Sequence, residues 1–146
     1  MPADPERPGP TAISTPLVVV DASVVVALAT STSDAASSLA ARLSSSILHA
    51  PHLLPTEVDS AIRGLVLSGK LTQQQGASAR AAAHALPIDL WPWSLLSERA
   101  WQLRANLSTY DAGYAALAEH LEAPLLTGDV RLAAAPGVRC QVEVFR

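Results

Sequence analysis

Four consecutive apolar residues, Leu17-Val18-Val19-Val20, run directly into an acid, Asp21, and soon into a second apolar stretch, Val24 to Leu28. A segment that short and that uniformly apolar reads as a strand buried on both faces, in the middle of a parallel sheet. Asp21 then stands at the strand's carboxyl end, the edge where open α/β sheets bind ligands. An acid abutting a buried strand is costly unless it has a partner. Asp21 is therefore the first candidate for chemistry.

The rest of the chain supplies the alternation of strands and helices that a parallel sheet requires. A Ser/Ala-rich helix is expected over 33–45, then a short strand at Ile47-Leu48 closed by His49-Ala50-Pro51. Pro55 suits the first turn of a helix whose Val58, Ala61, Ile62, Leu65 and Val66 form one apolar stripe, ended by Gly69. A helix over 72–84, a strand at Ile88-Asp89-Leu90-Trp91 and a helix over 94–105 follow. Ser108 has the place of an N-cap for a helix through Leu121, with Tyr114, Leu117, Ala118 and Leu121 facing inward. Pro124 to Thr127 is a further strand, and Val142 to Phe145 is an edge strand. The expected class is α/β, a three-layer α/β/α sandwich around a mainly parallel sheet.

Size and composition allow one such core. The chain has 146 residues, 49% of them hydrophobic and 16% charged, which excludes a disordered protein. Five of the eleven prolines fall in Met1 to Pro16, so residues 1–16 read as a disordered tail and 17–146 as the domain. The single Cys140 excludes an internal disulfide and a multi-cysteine zinc site. With no signal peptide in view it points to the cytoplasm, and no apolar run reaches the roughly 18–20 residues of a membrane span. The net charge is −3 and the ten basic residues are dispersed, so no basic footprint for nucleic acid is visible. A bound divalent cation would change the local sign.

Four acids stand at places where parallel topology can gather them: Asp21, Glu57 near a helix start, Asp111 near another, and Asp129 after a late strand. Carboxylates that close repel, and at least one would hold its proton. Magnesium or manganese removes this penalty, because hard cations prefer carboxylate oxygens. Each acid also has a plainer reading. Glu57 and Asp111 complement helix dipoles, Asp111 has capping-box spacing from Ser108, and Asp129 lies in a Gly-containing turn. Helical geometry does not choose between Glu57 and Asp59, which flank opposite borders of the apolar stripe.

Three segments together resemble the PIN-domain family, and VapC toxins in particular. They are Val18-Val19-Val20-Asp21-Ala22-Ser23, Tyr110-Asp111-Ala112-Gly113-Tyr114-Ala115-Ala116-Leu117-Ala118-Glu119 and Leu125-Leu126-Thr127-Gly128-Asp129-Val130-Arg131-Leu132, with a looser fourth, Pro51 to Val58. The resemblance covers residues 17 to 145 and implies a PIN fold. It implies that Asp21, Glu57, Asp111 and Asp129 bind Mg²⁺ or Mn²⁺ and position the hydrolytic water, with Ser23 and Thr127 hydrogen-bonded behind them. It further implies an endoribonuclease toxin that cleaves RNA, is inhibited by a cognate VapB-type antitoxin and forms a homodimer; the lack of a long apolar run predicts no membrane partner. Two departures from the family pattern are the Pro-rich tail and Gly128, where Ala is common.

Two rival readings exist. An Asp-nucleophile phosphatase would want a second Asp two residues after Asp21, where Ser23 stands; a receiver domain would want a late Lys, and the only lysine is Lys70. A non-catalytic PIN module binding RNA or protein would not need four acids. Among the remaining residues, His49, His52, His84 and His120 lack metal-ligand spacing. Trp91, Trp93 and Trp101 are expected in the core or a dimer contact, and Arg104 and Asn106 are placed to meet an RNA phosphate or solvent.

Overall fold

The computed structural model describes residues 14–146. Residues 1–13 of the expected tail lie outside the described residues, while Ser14, Thr15 and Pro16 are exposed and belong to no element. The strands are β1 (Leu17–Val20), β2 (Ile47–Pro51), β3 (Ile88–Trp91), β4 (Leu125–Thr127) and β5 (Val142–Val144). The helices are α1 (Ala22–Thr30), α2 (Asp34–Leu43), α3 (Leu54–Leu67), α4 (Gln73–Ala85), α5 (Ser97–Gln102), α6 (Thr109–Leu121) and α7 (Val130–Ala133). All strand pairs are parallel, in the order β3-β2-β1-β4-β5. β1 is thus the central strand, and Val18, Val19 and Val20 have no exposed surface.

The sheet grows in one direction from β1 to β3, through α1–α2 and α3–α4, and returns to β4 through α5 and α6. Right-handed crossovers place the first four helices on one face and α5 and α6 on the other. Accordingly α1 packs on α3 and α4, while α6 lies against β1 and β2 and carries α5. The carboxyl ends of β1, β2 and β4 share one edge, from which α1, α3 and α7 start. No single described helix is long and apolar enough to cross a membrane.

Some elements differ from the sequence reading, each for a local reason. The apolar residues after Asp21 form α1 although Val24-Val25-Val26 favours a strand. Asp21 caps the helix, its carboxylate accepting from the Val24 N–H at 3.2 Å. β2 runs on through Pro51, which pairs with Trp91. The helix expected over 94–105 is broken into a 3-10 turn at Trp93–Leu95 and the short α5, because fully buried Leu96 adopts φ −110° between them. Gly69 ends α3 as expected, at φ +76°.

The tryptophans do not all join the core. Trp91 is half-buried and donates to His49 Nδ1 at 3.0 Å, whereas Trp93 and Trp101 are exposed, Trp101 at 65%. Arg104 stacks 4.8 Å above the Trp101 ring, and Asn106 donates to the Pro136 carbonyl at 3.1 Å.

Candidate active site

Asp21 follows the last residue of the central strand, and both of its carboxylate oxygens accept hydrogen bonds. One oxygen accepts from the Val24 N–H and from Ser23 Oγ at 2.5 Å; the other accepts from the Thr127 hydroxyl. Thr127 ends β4, next to β1, and is fully buried. Both hydroxyls also hold the loop after β4. The Gly128 N–H donates to Ser23 Oγ at 2.9 Å, and the Asp129 N–H to Thr127 Oγ1 at 3.0 Å. Burial pushes the Asp21 carboxyl above the ordinary carboxylate range, against the pull of these donors.

Glu57 lies in the first turn of α3, behind Pro55. Its Oε1 accepts from the Tyr114 hydroxyl at 2.7 Å. Burial raises its pKa, and the charges of Asp111 and Asp21 raise it further, while Tyr114 opposes the shift. Asp111 occupies the first turn of α6, where its N–H donates to Ser108 Oγ at 3.1 Å. The reciprocal side-chain bond that completes a capping box at Thr72 and Gln75 is not made at Ser108 and Asp111. Asp21, Glu57 and Asp111 therefore come from three elements to one place, with no basic group among the causes that shift Asp21 or Glu57.

Asp59 goes elsewhere. It accepts from Arg80 at 3.0 Å and pairs with His84 at 2.7 Å, both on α4, and these bonds hold its pKa down although burial works against them. The tie between Glu57 and Asp59 is thus broken by their neighbours: only Glu57 faces the other acids.

Asp129 caps α7 and is turned to Arg131, whose guanidinium donates to both carboxylate oxygens at 3.1 and 2.8 Å. These bonds hold the Asp129 pKa below the ordinary range. Arg131 also feels the charge of Asp111. Among the described residues, no three His, Cys, Asp or Glu side chains converge closely enough to enclose a metal ion. The donor set nevertheless fits a hard divalent cation in kind and in sign. It consists of oxygens only, and Asp21 and Glu57 carry negative charge that burial disfavours and no cation offsets. None of the four histidines joins it; His49 and His84 are engaged by Trp91 and Asp59.

A match to the PIN domain family covers residues 18–138. The chain belongs to the PIN-domain family. Within this family it lies among the VapC ribonucleases: Ribonuclease VapC1 of Mycobacterium tuberculosis is 48% identical over 132 residues, 88% of this chain and 97% of that protein. Two solved structures share the PIN fold. A Pyrobaculum aerophilum protein has a TM-score of 0.66 at 22% identity, covering 89% of this chain and 85% of that one. VapBC2 of Rickettsia felis, bound to a DNA fragment from their promoter, has a TM-score of 0.65 at 11% identity, covering 89% and 99%.

Two residues of this PIN domain that touch the acids escaped the sequence reading. Tyr114 registered only as an inward-facing residue of α6, although a polar tip three residues after Asp111 on an apolar face was a signal. Arg131 stands two residues after Asp129 and was legible only as surface charge. Gly128 proves to be sterically tight: a Cβ there would meet the Phe145 ring at 3.1 and 3.2 Å and Ser23 Oγ at 3.3 Å.

Proposed function

We propose that this chain is the toxin of a toxin–antitoxin pair, an endoribonuclease whose Asp21, Glu57, Asp111 and Asp129 hold Mg²⁺ or Mn²⁺. One observation carries the reading: half-buried acids from three elements meet at the ligand-binding edge of the sheet, and no basic side chain offsets Asp21 or Glu57. Family membership supplies the reaction class, and residues 17–146 form the catalytic domain, with residues 1–16 as a tail outside it. The cation would supply Lewis acidity, easing deprotonation of a water and offsetting charge on the phosphate and leaving oxygen.

The chain's own groups do the positioning. Ser23, Thr127 and the Val24 N–H fix the Asp21 carboxylate, so its orientation does not depend on substrate. Glu57 and Asp111 face it from the starts of two helices whose dipoles favour anions. Asp129 joins by exchanging Arg131 for the cation, a surface pair that is cheap to break.

The substrate is RNA, and a VapB-type antitoxin is the inhibitory partner, supported by the VapBC2 complex of the same fold. We place the protein in the cytoplasm and expect a homodimer. Leu95, Trp101 and Tyr110 leave apolar surface exposed that a second copy would cover, and light scattering should report twice the chain mass. The test of function is direct. Purified protein should cut RNA with Mg²⁺ or Mn²⁺ and stop in excess chelator; robust cleavage in chelator would sink the carboxylate–metal reading.

A further inference from the structure

We infer that Tyr114 is a positioning residue for Glu57: its hydroxyl donates to Oε1 and fixes the orientation in which Glu57 offers its carboxylate to a cation. The inference rests on the metal reading above and names a device within that site. Tyr114 is 2% exposed, so water does not compete for its hydroxyl, and the one proton it can donate goes to Glu57 at 2.7 Å. Tyr114 lies one helical turn after Asp111 on α6. A single helix therefore contributes one acid and orients another, tying α3 to α6 across the site.

The alternative is that a buried phenol has merely found the nearest acceptor. The two readings part on what happens when the hydroxyl is removed. Tyr114→Phe keeps the ring and its packing but removes the bond to Oε1, so the Glu57 carboxylate is no longer held in one orientation. Groups that orient metal ligands typically contribute about 10- to 100-fold in metal affinity.

Calorimetric titration of the full chain with Mn²⁺ separates them, using wild type, Tyr114→Phe and Asp59→Asn. Asp59 is held by Arg80 and His84 on the other flank of α3 and serves as the control. Tyr114→Phe should weaken Mn²⁺ binding by about 10-fold or more, while Asp59→Asn should leave it unchanged. Equal affinity in wild type and Tyr114→Phe overturns the positioning role and leaves the metal reading intact. A wild type that binds no Mn²⁺ removes the metal reading, and this inference with it.

A second measurement needs no variant. In wild-type protein the shielded Tyr114 hydroxyl proton should give a downfield resonance that persists and moves when Mg²⁺ is added. A resonance that stays in place, or vanishes when Mg²⁺ is added, overturns the proposal.

Discussion

Two flanks of α3 treat an acid in opposite ways. On the side of α4, Asp59 is held by Arg80 and His84, and its charge is compensated where it stands. On the side of α6, two residues earlier, Glu57 looks toward Asp21 and Asp111 with only a phenol for company. The same helix and the same chemistry give one acid that supports the fold and one that burdens it. An acid with its own base is explained by structure alone. An acid among acids needs something from outside, and that asymmetry locates the site more sharply than the presence of carboxylates does.

The largest effect should come from exchanging the two acids' charges for amides. Glu57→Gln keeps shape and can still accept from Tyr114, yet should lower RNA cleavage by more than about 100-fold, beyond the loss expected for a group that only orients a ligand. Asp59→Asn should leave most of the activity and cost up to about 1 kcal/mol of stability, since its partners are largely exposed. Initial rates and thermal melts of both variants suffice. Cleavage that survives Glu57→Gln and fails in Asp59→Asn would reverse the comparison.

A smaller effect concerns pH without metal, and the two flanks should have opposite signs. The folded-state pKa of Glu57 is raised, so its contribution to stability is present below the unfolded value of about 4.3 and is lost as pH rises through the folded value. That of Asp59 is lowered, so its contribution is present above about pH 3.9 and is lost as pH falls through the folded value. In chelator, Glu57→Gln should therefore gain melting temperature relative to wild type as pH rises from 4 to 7, while Asp59→Asn should trail wild type near neutral pH and draw level with it as pH falls below about 4. Parallel curves for wild type and Glu57→Gln would mean that the site acids do not burden the fold.

What the sequence showed and withheld divides along the same line. β1 was legible because a strand buried on both faces leaves no ambiguity of period, and Asp21 followed from it. α1 was not, because a helix apolar all round has no stripe to read, and only the cap at Asp21 distinguishes it from a strand. Glu57 and Asp59 could not be separated, since periodicity describes a helix against its own core. The groups that decide between them, Tyr114 on α6 and Arg80 on α4, come from distant sequence. Asp129 was placed correctly at the edge, yet its bidentate partner Arg131 was invisible as such.

The smallest effect belongs to that pair. Arg131→Gln removes the cation that competes for Asp129 and should tighten Mn²⁺ binding about two- to fivefold, the range of an exposed ion pair. Weaker binding in the variant would show that Arg131 assists the site.

Gly128 lies under the Phe145 ring and against the Ser23 hydroxyl, with no room for a methyl group unless the ring moves by a few tenths of an ångström. The Ala common in this motif would therefore fit here only with a small shift of the Phe145 ring. Gly128→Ala should cost more melting temperature with Phe145 in place than beside Phe145→Leu, so the segment after β5 bears on the loop that carries Asp129.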